Sequence, residues 1–152
     1  MSYAGRDVDI VAYAGASTSG EVTLLQDLAQ PNLGGEICTG IQKLVQRFVI
    51  KLFTIAGSVK YLPAKGCEFL TDVYSGKLRS SADVFLSFSV AIADMRRQFS
   101  AEDLLMAFDD EKFQSAVLTK VQLSGDGIVL YITLTSQAGT AAQAILPISA
   151  SV

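Results

Sequence analysis

The sequence predicts an α+β fold, with two main amphipathic helices packed on a C-terminal antiparallel three-stranded β-meander and an N-terminal arm in front. Three observations predict it. In two stretches of the middle of the chain, apolar residues recur at spacings of three and four, the period of one helix face. From Ser115 the period falls to two, the period of a strand. Gly-rich turns then divide that alternating part into three segments.

The chain has 152 residues, enough for one domain with a proper core. Half are hydrophobic and 18% are charged, a balance that folds. Residues 1–35 read as the arm and 36–152 as the compact domain. In the arm, Val8–Tyr13 is a short β-like piece, Ala14–Gly20 is small and polar, and Glu21–Ala29 fits a short helix or a strand. Pro31 through Gly35 breaks whatever precedes it.

The first helix is expected over Thr39–Ala56. Thr39 and Gln42 form a capping box, and Gly57 is placed to end the helix. Ile41, Leu44, Val45, Phe48, Leu52 and Phe53 make the apolar stripe, with Lys43, Gln46, Arg47 and Lys51 mostly on the other side. Pro63 and Gly66 shape the loop Ser58–Gly66, and Cys67–Tyr74 is a short apolar piece. The second helix is expected over Ser80–Phe99. Ser80 and Asp83 cap its start, and its stripe is Phe85, Phe88, Ile92, Met95 and Phe99. Asp94 opposes the helix dipole in the expected last turn, so a nearby arginine is expected to hold it. Beyond it, Ser100 and Asp103 resemble another capping box, and Asp109-Asp110-Glu111 reads as a solvated turn.

In the meander, Val117, Thr119, Val121 and Leu123 alternate with Leu118, Lys120 and Gln122. A turn at Gly125–Gly127 leads to a middle strand with Ile128, Leu130, Ile132 and Leu134 on one side. A turn at Ser136–Thr140 leads to the last strand, Ala141–Ser149, where Pro147 suits an edge.

Composition excludes several kinds of chemistry. A net charge of −3 without a basic block argues against nucleic acid or anionic membrane as partner. No apolar run is long enough to span a bilayer, and the first residues lack a signal-peptide layout. There is no histidine, which removes the usual general base and the commonest metal ligand. Cys38 and Cys67 match no zinc or C-x-x-C spacing and read as reduced, buried thiols. No phosphate-binding glycine loop or nucleophile elbow is present. The carboxylates Asp94, Glu102, Asp103, Asp109, Asp110 and Glu111 fall on helix ends and turns. No catalytic residue, cofactor or metal is expected.

One segment resembles a known family. Leu52-Phe53-Thr54, then Gly57-Ser58, Tyr61, Pro63 and Gly66-Cys67-Glu68-Phe69 is similar to the segment after the first helix of the baseplate wedge proteins of contractile phage tails, the sheath initiators. The related subunit of type VI secretion baseplates has the same plan. In that family the second long helix ends in a Glu-Pro-Arg motif before a β-meander. Asp94-Met95-Arg96 stands in the matching place, with Asp for Glu and Met for Pro. The resemblance covers Glu36 to Ser149.

What the resemblance implies is a structural, non-enzymatic subunit in a hexameric assembly, located in the tail baseplate of the virion and in host cytoplasm during assembly. Its implied partners are baseplate wedge proteins, the tail sheath protein, and tail tube or hub proteins. Asp94, Arg96 and Arg97 would dock the helical core bundle of the wedge. The strands carrying Ile128, Leu130, Ile132, Leu134, Ile145 and Ile148 would offer an open edge to sheath strands by β-augmentation. Two other readings compete with this one: a carboxylate-dependent cell-wall hydrolase of the baseplate, and a generic cytosolic adaptor.

Overall fold

The computed structural model describes residues 9–10, 21–23, 37–125 and 127–149. The elements run β1 (Asp9–Ile10), β2 (Glu21–Thr23), β3 (Ile37–Cys38), α1 (Ile41–Leu52), α2 (Phe69–Tyr74), α3 (Ser81–Asp103), β4 (Phe113–Ser124), β5 (Gly127–Ser136) and β6 (Ala141–Ser149). The fold is α+β, with the helices gathered against one face of a C-terminal antiparallel meander of β4, β5 and β6.

Helix α3 starts where the sequence says it should. Ser80 accepts from the Asp83 N–H, and the Asp83 carboxylate accepts from the Ser80 N–H, a complete capping box. The helix then runs for 23 residues, about 35 Å, and passes Phe99 by one turn. Ser100 does not open a new helix; its hydroxyl donates to the Arg96 carbonyl within α3. The buried stripe is Val84, Phe88, Ala91, Ile92, Met95, Phe99 and Asp103, with Phe85 turned largely to solvent. Val84 and Phe85 flank the buried arc on opposite sides, and the structure buries the valine fully while leaving the ring 42% exposed.

Helix α1 departs from expectation at both ends. Its N-cap is Gly40, at φ 63° and ψ −141°, with no side-chain cap. Only glycine reaches that backbone region easily, so Thr39 cannot serve as the N-cap of a capping box. Glu111 substitutes from 71 residues away, accepting from the Gly40 N–H at 3.1 Å. The helix ends at Leu52, before Gly57, whose positive φ of 78° belongs to the following loop.

The core is continuous across the three layers of α2, α1/α3 and sheet. A file of aromatic rings runs through it. Phe69 meets Phe88 edge-on at 6.2 Å, Phe88 lies 6.4 Å from Phe48, Phe48 stacks on Phe113 at 6.3 Å, and Phe113 stacks on Phe99 at 4.6 Å. Leu130, Ile132 and Leu134 of β5 and Ala142, Ala144, Leu146 and Ile148 of β6 close the sheet side.

The order in the main sheet is β2-β6-β5-β4. The meander is antiparallel, and a fourth strand extends it: β2 pairs parallel to β6, Glu21 to Thr23 against Gln143 to Ile145. Part of the arm thus joins the sheet as a short strand. β1 pairs with β3 in a separate two-stranded ladder.

Along β4 the simple alternation fails. Two register shifts interrupt its ladder with β5, between Phe113 and Ser115 and between Leu118 and Lys120. Leu118 pairs with Ile132, and Val121 with Leu130, both on the helix-covered face. Thr119 is the extra residue, so Leu118 points inward while Val117 points out. A bulge exchanges the two faces of a strand beyond it, which is why Val117 does not share the side of Val121 and Leu123.

Candidate interaction site

The three cations of α1 are four residues apart in the sequence, hence on one face of the helix. Rather than facing water, they lie under the segment that joins α3 to β4. Lys43 pairs with Glu111 at 3.2 Å, with both side chains more than nine-tenths buried. The Arg47 guanidinium binds Glu102 and Asp103, each at 3.0 Å, and the Glu111 carbonyl at 2.8 Å. Lys51 pairs with Glu102. Asp103 also accepts from the Phe113 N–H at 2.8 Å. Arg47 and Lys51 both sit over the Phe99 ring, at 5.0 and 5.2 Å from its centre. The segment 102–113 is therefore tied to α1 and its cap through Glu102, Asp103, Met106 and Glu111.

Burial pushes the Glu102 carboxyl up, but the Lys51 and Arg47 hydrogen bonds and charges together outweigh it, and it sits below its ordinary value. Glu111 and Asp103, expected in solvated turns or helix ends, are the corrections here: both are buried. A sequence run of three acids suggests water, whereas the chain spends Glu111 on a helix start that lacks its own cap.

Beside this clamp the loop 54–67 folds back on α3. Cys67 and Thr54 close its neck, Cys67 N–H donating to Thr54 O at 2.9 Å and Ala56 N–H to Cys67 O at 3.2 Å. Gln98 fixes it to α3, its amide accepting from the Gly66 N–H at 3.1 Å and donating to the Gly66 carbonyl at 2.7 Å. Gly66 has a φ of 94°, and a Cβ there would stand 2.1 Å from the Thr54 oxygen, so no other residue fits. Between loop and helix lies a groove of about 720 Å³ lined by Ala56, Tyr61 to Gly66, Asp94, Arg97, Gln98, Ala101 and Glu102.

Exposed apolar side chains occur on this side of the chain: Tyr61 in the groove lining is 84% exposed, and Leu104 and Leu105, a few residues past the lining residues Ala101 and Glu102, form an apolar rim 86% and 90% exposed. Large apolar side chains presented on a braced backbone mark a surface that partners cover.

The residues singled out in the sequence meet different fates. Asp94 is paired, but with Arg97, one turn on, and not with Arg96. That pair lies on the helix surface beside the groove, nine residues before the end of α3, so it is not a helix tip. Met95 between them is fully buried, and Arg96 is exposed. Ile128, Leu130, Ile132, Leu134 and Ile148 are core residues under the helices and offer no side chain to a partner. Ile145, on the opposite face, is half-buried and is paired through its backbone with Thr23. Cys67 is a buried free thiol, with burial and the charges of Asp94 and Glu68 raising it against a Phe69 N–H contact. The side chain of Cys38 lies outside the described residues.

Two edges of the sheet remain for pairing. Among the described residues the outer edge of β4 has no paired strand, because the order ends there. On the other side, among the described residues, β2 covers β6 at Gln143 to Ile145. Among the described residues no group of three or more Cys, Asp or Glu side chains is placed to hold a metal, and no helix is long and apolar enough to cross a membrane. Nothing in the local pattern marks Tyr61, Leu104 and Leu105 as exposed, since exposed apolar residues read like core residues until the core is built. No family model, curated protein or solved structure matches this chain.

Proposed function

We propose that this chain is a structural subunit of a contractile-tail baseplate, which pairs its sheet with a strand of the tail sheath protein and holds a wedge protein in the groove beside α3. The observation that carries the reading is the outer edge of β4, twelve residues long and without a neighbour among the described residues. Its free N–H and C=O groups are a template for an added strand. Two bulges and Lys120 on this strand are devices that discourage indiscriminate pairing, as befits an edge reserved for one partner. The resemblance of residues 52–69 to the sheath initiators supports the same reading, as does the braced apolar rim at Tyr61, Leu104 and Leu105.

The carboxylates favour a scaffold over a hydrolase. A glycosidase needs one carboxyl kept protonated to act as an acid. Glu102, the carboxylate shared by the clamp and the groove, is held ionised by two cations.

The test is hydrogen exchange of the protein alone and mixed with purified tail sheath protein. New protection of β4 amides, with β6 unchanged, is the expected result. Protection that leaves β4 untouched, or none at all, overturns the proposal.

A further inference from the structure

The groove between the loop 54–67 and α3 has four charged side chains in its lining, Lys65, Asp94, Arg97 and Glu102. Three of them are answered from within the protein. Asp94 pairs with Arg97, and Glu102 is shared by Arg47 and Lys51. Gln98 spends its amide on both backbone groups of Gly66. Lys65 is the exception. It is half-buried in the groove wall, and among the described residues its ammonium has neither an ion pair nor a hydrogen-bond acceptor. Lys60, on the same loop, lies 5.7 Å from the centre of the Tyr61 ring and has no acid beside it among the described residues. In a chain of net charge −3 this wall is therefore locally positive.

The shape of the groove is as particular as its charge. Asp94, Gln98 and Glu102 are four residues apart, so they line one side of α3 over about 12 Å of helix. That length matches about four residues of extended chain. The facing loop holds its form through Leu62 N–H to Val59 O at 3.0 Å, Lys65 N–H to Leu62 O at 2.9 Å and Gly57 N–H to Pro63 O at 3.1 Å. The wall is thus set before anything binds, and the exposed Tyr61, Leu62 and Ala101 supply apolar contact. A second copy of this chain has no suitable acid to place there. Among the carboxylates whose side chains are described, Glu68 alone has no partner, and it sits in helical backbone at the start of α2, not in an extended segment.

We infer that the groove takes an extended segment of about four residues from the wedge protein, with a glutamate or aspartate side chain on Lys65 and apolar neighbours on Tyr61, Leu62 and Ala101. This rests on the reading of the groove as the site that holds a wedge protein.

The probe is the peptide Leu-Leu-Glu-Leu, with a neutral fluorophore at its N-terminus and an amide at its C-terminus. Its twins carry Gln or Lys in place of Glu. Fluorescence anisotropy is expected to give a Kd of ~0.1 mM for the Glu peptide and roughly tenfold weaker binding of the Gln peptide. Lys65→Met is expected to weaken the Glu peptide by about the same tenfold and to leave the Gln peptide unchanged. Lys65→Glu is expected to make the Lys peptide the tightest of the three. Ala101→Trp is expected to abolish binding of all three; position 101 is exposed, so circular dichroism of this variant should match the parent. Equal binding of the Glu and Gln peptides, a Glu peptide indifferent to Lys65→Met, or no binding at all overturns the inference. So does sedimentation as a dimer that Ala101→Trp dissociates, which would assign the groove to a second copy. Purified wedge protein separates the two readings. If it binds the parent and Lys65→Met equally but not Ala101→Trp, the groove remains its site and the acidic segment alone is refuted. If its binding survives Ala101→Trp, both readings of the groove fall.

Discussion

Arg47→Met is the perturbation that best tests how the fold is held. It keeps an unbranched side chain over Phe99 but removes the guanidinium that binds Glu102, Asp103 and the Glu111 carbonyl. The losses are unequal. Glu102 is 44% exposed at its side chain and keeps Lys51, so water and one cation still serve it. Asp103 is 7% exposed and keeps only the Phe113 N–H among its described partners. Stranding one member of a buried pair costs about 3–5 kcal/mol. The surviving N–H and the exposure of Glu102 put this case at the low end, near 3 kcal/mol. At about 2–4 °C per kcal/mol for a chain of this size, the melting temperature should fall by roughly 6–12 °C. Urea unfolding of wild type, Arg47→Met, Asp103→Asn and the double variant forms a cycle. The two single changes should be non-additive by at least ~1 kcal/mol, because Asp103→Asn removes the charge that Arg47→Met strands. A single-variant loss below ~1 kcal/mol, with additive changes, would refute the claim that these charges hold the segment 102–113 to α1.

Four further outcomes follow from the same structure. Glu102 has a depressed folded pKa, so its contribution is present above its ordinary value of 4.5 and is lost as pH falls through the lower folded value; in Glu102→Gln, stability measured by urea midpoint between pH 6 and pH 3 should vary less than in the parent. Ser80→Ala removes half of the α3 capping box and should cost about 1 kcal/mol by thermal unfolding. Gly66→Ala must displace the Thr54 carbonyl or abandon its φ, and should cost at least ~2 kcal/mol while raising amide exchange across residues 56–66. Leu134→Ala, at a fully buried site in the core, should cost roughly 2–5 kcal/mol in the same denaturant assay.

The fold was legible where one period dominates. The Ser80 box, the length of α3 to within a turn, and the three meander strands follow from local signals that tertiary structure did not overrule. The failures share a cause as well. Thr39 lost the start of α1 to Gly40 because Glu111, distant in sequence, could satisfy the orphan N–H. The bulge at Thr119 exchanged the faces of β4, and no composition rule marks a single inserted residue. In the sequence pattern Lys43 and Lys51 fall opposite the apolar stripe, the side that usually meets water; they are buried here because two acids from elsewhere in the chain, Glu111 and Glu102, meet them. Of the surface, the Asp94 ion pair was foreseen, although Arg97 takes it, while the apolar rim at Leu104 and Leu105 was not.

The clamp explains why the rim can exist. Two nearly bare leucines after a helix would ordinarily fold back onto the nearest apolar surface, since burying each would gain about 1.5–3 kcal/mol. Here the residues on both sides of them are already committed: Glu102 and Asp103 to α1 before, Glu111 to Lys43 and Gly40 after. The short stretch between these anchors has no freedom to turn its leucines inward without breaking buried ion pairs, each more costly than the burial it would gain. Charge pairs thus do what apolar packing could not, since they hold apolar side chains away from the protein's own core. On this argument, loosening the clamp should let Leu104 and Leu105 collapse, and a fluorophore placed at position 105 should report a less polar environment in Arg47→Met than in the parent. An unchanged spectrum would mean that the leucines are kept outside by their local backbone alone.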